Sequence, residues 1–212
     1  MFVEYIEHMG SDAAVADAAR VSFGKRVTNF EDKDAKLIQY LAKHNHWSPF
    51  AHCFMKCRVM APIFVARQLM KHQVGFAWNE VSRRYIKDNP VLWTPMGFRK
   101  TPEGSIKQGS SPEFVSTNTV LLHAYDEVAK SCFYLYREMI AAGVCPEQAR
   151  AILPQATMTE WIWTGSLYAW SRMVKLRTDE HAQAETREVA EDIAVFAKQL
   201  FPHSWEALMS HG

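Results

Sequence analysis

The sequence predicts an α+β fold. Three observations carry it. The strand-like segments are few and widely separated. The helical segments do not alternate with them in a βαβ rhythm. No internal repeat is present. At 212 residues the chain can bury a core without staples, and no shift of composition marks a boundary, so residues 1–212 read as one domain.

The elements follow in chain order. Residues 2–7 alternate as a short strand, and Asp12 to Arg20 reads as a helix followed by the link Val21–Gly24. Asp32 to His44 is an amphipathic helix with Leu37, Ile38, Tyr40 and Leu41 on its apolar side. Pro49 marks a loop over 45–50, and residues 53–60 set Phe54, Lys56 and Arg58 against Cys53, Met55, Cys57 and Val59, as a strand does. Pro62 opens a helix that is expected to run through Gln73 and to end at Gly75, with a loop to Tyr85. Residues 99–113, rich in Gly, Ser, Pro and Lys, read as a mobile surface loop or lid. A long helix is expected over 117–142, closed by Gly143. A short helix follows from Pro146 and stops at Pro154. Residues 156–164 alternate as a strand, and helices are expected from about Ser166 to Leu176 and from about His181 to Leu200.

Composition excludes several classes. The net charge of +1 supplies no bulk field toward nucleic acid. No apolar run approaches a membrane span, and the first ten residues lack a basic segment followed by an apolar one, so neither membrane nor signal peptide is expected. Cys53, Cys57, Cys132 and Cys145 match no zinc spacing. No metal is expected, and the cysteines read as reduced packing residues of a cytoplasmic protein.

The densest polar segment runs from Arg67 to Tyr85. Arg67 and Lys71 are four apart, as are Gln68 and His72; the following loop presents Asn79, Glu80, Ser82, Arg83 and Arg84. Such a run can be a solvated face. Phe76, Trp78 and Val81 interleave with the charges, and a solvated face has no use for them; arginines suit bidentate grips on phosphate. The segment therefore reads as a site for an anionic, flat ligand. A second constellation is Arg177-Thr178-Asp179-Glu180-His181-Ala182-Gln183, approached by a helix bearing Tyr168, Arg172 and Lys175. Capping by Asp179 explains part of it but leaves Arg177, His181 and Gln183 without a role. Arg150, in Glu147-Gln148-Ala149-Arg150, is either a surface residue or part of the same site.

These residues resemble the flavin-dependent thymidylate synthases. Lys71-His72-Gln73 followed by Asn79-Glu80-Val81-Ser82-Arg83-Arg84-Tyr85 is similar to that family's signature, an Arg-His-Arg triplet, seven residues, then Ser. Segments 19–23, 46–52, 61–68, 149–154 and 176–183 resemble family segments in the same order. The departures are Lys71 and Gln73 for two arginines and eight residues, not seven, before Ser82; they fall largely on positions used for the flavin.

The resemblance implies a central twisted, largely antiparallel sheet flanked by helices. It implies a homotetramer with active sites at subunit interfaces. It also implies reductive methylation of dUMP to dTMP, with 5,10-methylenetetrahydrofolate as carbon donor and NADPH-reduced FAD as hydride source. It assigns dUMP binding to Gln68, Lys71, Glu80, Ser82, Arg83, Arg84, Arg150 and Arg177, with Arg177 catalytic at the uracil N3 and O2. It assigns FAD contacts to Ser22, Ser48, Lys71, His72, Gln73, Val74, Glu80, Ser166, Tyr168 and Arg172, and places His46 near flavin or folate. Two rival readings stand beside this one. A cysteine-dependent synthase would need a thiolate such as Cys145, whose surroundings do not resemble that class. A non-catalytic flavin-, nucleotide- or RNA-binding homologue would stack bases on Trp78 beside Arg83 and Arg84, but has no use for Arg177.

Overall fold

The computed structural model describes residues 1–103 and 109–211. Its centre is a four-stranded sheet of order β1-β2-β4-β3, built from β1 (Phe2–Met9), β2 (Phe54–Pro62), β3 (Phe76–Glu80) and β4 (Met158–Ser166). Every neighbouring pair is antiparallel. β2 and β4 pair without a slip from Phe54↔Ser166 to Pro62↔Met158, whereas β1 carries an irregularity between Tyr5 and Glu7.

Alternation decides the sheet's inner face. Met55, Cys57, Val59 and Ala61 of β2 and Trp161 and Trp163 of β4 are buried. Onto that face pack α3 (Ile63–Leu69), α6 (Leu167–Arg177) and α7 (Ala184–Leu200). Behind them stand α1 (Asp12–Arg20), α2 (Asp32–Lys43) and α8 (Pro202–His211). An aromatic cluster joins strands to helices: Trp78 stacks on Trp161 at 4.3 Å, and Trp163 meets Trp170 edge-on at 4.8 Å. Gly165 lets Phe76 lie flat against the sheet, since a Cβ there would stand 2.3 Å from the Phe76 ring. Two further helices, α4 (Asn118–Ala141) and α5 (Pro146–Ala149), complete the described chain. In α4 only Ala129 and Tyr136 are buried.

The structure departs from expectation at α3, at α7, at α8 and between residues 76 and 80. The helix after Pro62 ends at Leu69, not near Gly75. Residues 76–80, expected as loop, form edge strand β3, because Phe76, Trp78 and Glu80 alternate against Gly165, Trp163 and Trp161. α7 begins at Ala184 rather than His181: the Asp179 carboxylate takes the His181 backbone N–H at 2.8 Å and its Nδ1 at 2.9 Å, making a turn instead of a helix cap. α8 was not expected. Its first-turn amides on His203 and Ser204 donate to the Asp12 carboxylate at 3.0 and 2.8 Å, a cap from the other end of the sequence. Of the expected lid over 99–113, residues 104–108 lie outside the described residues; at its base Arg99 bridges Phe114. Cys53 and Cys57 are buried, and burial pushes their thiols up to about 11 and about 12, whereas Cys145 is exposed and is no packing residue.

Candidate active site

Two clefts open at opposite ends of β3. The first, of about 740 Å³, is walled by the turn from Lys71 to Phe76, by the start of α6, and by Asn45 and Trp47. Gly75 makes the turn possible. Its φ is +81°, and a Cβ there would stand 2.8 Å from the Ala169 Cβ and 3.1 Å from the Ser166 Oγ. Ser166 in turn caps α6 by accepting from the Ala169 amide at 3.2 Å. The close approach brings Lys71, His72, Gln73 and Val74 to one cleft with Ser166, Tyr168 and Arg172. The rings of Trp47 and Tyr168 lie 5.8 Å apart, and the Tyr168 hydroxyl donates to Asn45 Oδ1 at 3.3 Å. Asn45 has φ +54°, which Asn tolerates better than most residues. Asn45 has no assigned role in the sequence, and Trp47 enters there only within the 46–52 segment.

Arg177, the last residue of α6, stands beside this cleft. Its Nε donates to His72 Nε2 at 2.9 Å and its Nη2 donates to the Gln68 carbonyl at 3.2 Å. The first bond requires a bare lone pair on His72. Burial, then the positive charges of Arg177 and Arg172, hold the His72 pKa down to about 4, so the ring is neutral at pH 7. Burial also lowers the pKa of Arg177 itself. Among the described residues, no carboxylate is paired with Lys71, Arg172 or Arg177. The donor set therefore suits an anionic, flat ligand.

The second cleft, of about 340 Å³, is lined by Glu80, Val81, Arg83, Arg150 and Thr159 among others. Glu80 accepts from the Thr159 hydroxyl at 2.7 Å and from Trp78 Nε1 at 3.3 Å. Arg83 donates to the Asp88 carbonyl at 2.8 Å, and Arg150 Nε to the Glu147 carbonyl at 3.3 Å. Arg84 is held by the Glu147 carboxylate at 3.2 Å, and the Ser82 hydroxyl accepts the Arg84 amide at 3.3 Å. Trp78 does not offer a stacking surface beside these arginines, because it is half-buried on Trp161.

The predicted nucleotide set is thus divided. Glu80, Arg83 and Arg150 line the second cleft, with Ser82 and Arg84 beside it, whereas Lys71 lines the first and Arg177 and Gln68 adjoin its His72; the clefts take opposite ends of β3, which are roughly 13 Å apart. Ser22, Ser48 and His46 are exposed and line neither cleft.

Fold and site together define an α+β protein of the thymidylate synthase complementing type. Residues 4–203 match the family of thymidylate synthase complementing proteins. The flavin-dependent thymidylate synthase of Kosmotoga olearia is 36% identical over 99% of this chain and 90% of its own length. That of Thermus thermophilus is 36% identical over 99% of this chain and 76% of its own. A UMP/dUMP methylase from Streptomyces cacaoi, solved with 5-Br dUMP, superposes with a TM-score of 0.90 at 28% identity, covering 100% of this chain and 95% of that one. The chain belongs to the flavin-dependent thymidylate synthase family.

Proposed function

We propose that the protein converts dUMP to dTMP, with FAD as cofactor and 5,10-methylenetetrahydrofolate and NADPH as co-substrates. The observation that carries this reading is Arg177, a half-buried guanidinium aimed by His72 and the Gln68 carbonyl beside a cleft of about 740 Å³. The residues present fit FAD: Lys71 and Arg172 can meet a diphosphate, and Trp47 and Tyr168 offer faces to flat rings. When bound, FAD supplies the hydride that completes the methyl group.

The chain's own residues do the rest. Arg177 stabilises negative charge on uracil N3 and O2 while C5 becomes nucleophilic. A preorganised donor of this kind is worth about 3–4 kcal/mol, or roughly 10²–10³ in rate. Arg83, Arg84 and Arg150 hold the nucleotide phosphate, Arg84 exchanging its bond with Glu147 for a phosphate oxygen. Ser82 binds rather than attacks, since no general base contacts its hydroxyl among the described residues.

The division of the nucleotide set supports a homotetramer in which one copy supplies the phosphate cleft and another the Arg177 side. The exposed face of α4 supports it too: Leu121, Val128 and Leu135 recur every seven residues and are 43%, 64% and 45% exposed. Formation of dTMP that requires dUMP, the folate, NADPH and FAD tests the reaction, and its absence in folded, FAD-loaded protein would sink the reading. Mixing Arg177→Ala with Arg150→Ala protein, at dUMP too dilute for Arg150→Ala alone to turn over, tests the assembly. Shared sites regain activity in the mixture; sites built from one chain do not.

A further inference from the structure

A polar relay starts on Arg99, outside every segment that resembles the family, and ends on Gln68. Arg99 Nη2 donates to Glu185 Oε1 at 2.6 Å. Glu185 Oε2 accepts from Gln183 Nε2 at 2.9 Å. Gln183 Oε1 accepts from Gln68 Nε2 in a close contact, and Gln68 Oε1 accepts from the Thr186 hydroxyl at 3.3 Å. Glu185 is only 7% exposed and Thr186 is fully buried. Gln68 also gives its backbone carbonyl to Arg177 at 3.2 Å, so the residue adjoins the guanidinium assigned to the pyrimidine.

An amide side chain can turn over and exchange its donor for its acceptor. Two glutamines bonded only to each other and to a hydroxyl would have no preferred sense. Glu185 removes that freedom. An ionised carboxylate only accepts, so Gln183 must offer it Nε2, must turn Oε1 to Gln68, and thereby fixes the sense of the Gln68 amide. Arg99, which only donates, keeps the carboxylate ionised against the cost of burial.

We propose that the Arg99–Glu185–Gln183 relay sets the donor–acceptor order that Gln68 presents to the substrate's pyrimidine, and so makes the site select uracil over cytosine. The inference rests on the reading that this site binds dUMP. Beyond the N3 and O2 edge given to Arg177, the O4 of uracil asks for a donor, whereas the amino group that cytosine carries in its place asks for an acceptor. Arg99, Glu185 and Gln183 act through Gln68 and are positioning residues.

The relay makes an unusual prediction for Glu185→Gln. The substitution is nearly isosteric and loses no hydrogen bond. Arg99 still donates, so the new carbonyl faces it and the new NH2 faces Gln183. Gln183 turns over, Gln68 turns over in response, and the Thr186 hydroxyl accepts instead of donating. The fold survives with the reading order reversed. Adding Arg99→Met frees the new amide to turn its carbonyl back to Gln183, which restores the original order. Glu185→Asp keeps an acceptor-only group.

The test is the dissociation constants of dUMP and dCMP, measured by calorimetry on FAD-saturated protein. Glu185→Gln is expected to lower the preference for dUMP over dCMP at least tenfold. Glu185→Asp retains the preference, and the Glu185→Gln, Arg99→Met double variant recovers most of it. An unchanged preference in Glu185→Gln overturns the relay, as does a double variant worse than the single one, which is what a merely structural role gives. Failure of the wild-type protein to bind dUMP removes the functional reading and the relay with it; preserved dUMP binding with an unchanged preference removes the relay alone.

Discussion

Replacing His72 with glutamine changes how stability responds to acid. The His72 pKa is held near 4, against an ordinary value of 6.5, by burial and then by Arg177 and Arg172. Between those two values the unfolded chain binds a proton that the folded chain refuses, so stability falls as pH falls through that window. At pH 5 the gap is worth about 2 kcal/mol for a fully enclosed ring, and about 1 kcal/mol once screening of this half-buried ring is allowed for. His72→Gln keeps an acceptor for Arg177 and cannot titrate. Urea unfolding at pH 7 and pH 5, at fixed protein and FAD concentrations, measures the difference. The wild-type protein is expected to lose about 1 kcal/mol more than the variant between the two pH values. Equal losses would refute a neutral, buried His72, and with it the basis for its bond from Arg177.

Other outcomes follow from the same geometry. Arg177→Lys keeps a charge but cannot reach both His72 and the Gln68 carbonyl, so kcat should fall roughly 10²–10³-fold with folded protein and little change in FAD content. Gly75→Ala forces a Cβ to within 2.8 Å of Ala169 at a φ of +81°, and thermal unfolding should register a loss of about 1–3 kcal/mol together with weaker FAD retention. Arg150→Ala should raise the KM for dUMP about tenfold or more in steady-state assays while leaving the flavin spectrum unchanged.

The sheet's two central strands and the helices Asp12–Arg20 and Asp32–Lys43 were readable because their apolar residues repeat with periods of two and near four. β3 was not readable. Its five residues carry Asn79 and Glu80, and it exists as a strand because Trp161 to Gly165 lie alongside, which no local pattern records. α8 depends on the Asp12 carboxylate, almost the whole chain away in sequence. The flavin-side residues could be gathered from the sequence by resemblance, and the Gly75 turn brings most of them together. That the nucleotide set would split along β3 could not be gathered, because spacing in the chain says nothing about which end of a strand the fold brings each residue to. Arg99 and Glu185 were missed for a plainer reason. An arginine in a polar loop and a glutamate in the first turn of a helix both have ordinary surface explanations, and only the burial of Glu185 sets them apart.

The most direct test of the central claim is release of tritium from C5-labelled dUMP by purified protein with methylenetetrahydrofolate and NADPH, with and without added FAD. The account predicts release that requires FAD and collapses in Arg177→Lys. Folded, FAD-saturated protein that releases no tritium, or release indifferent to FAD, would contradict it.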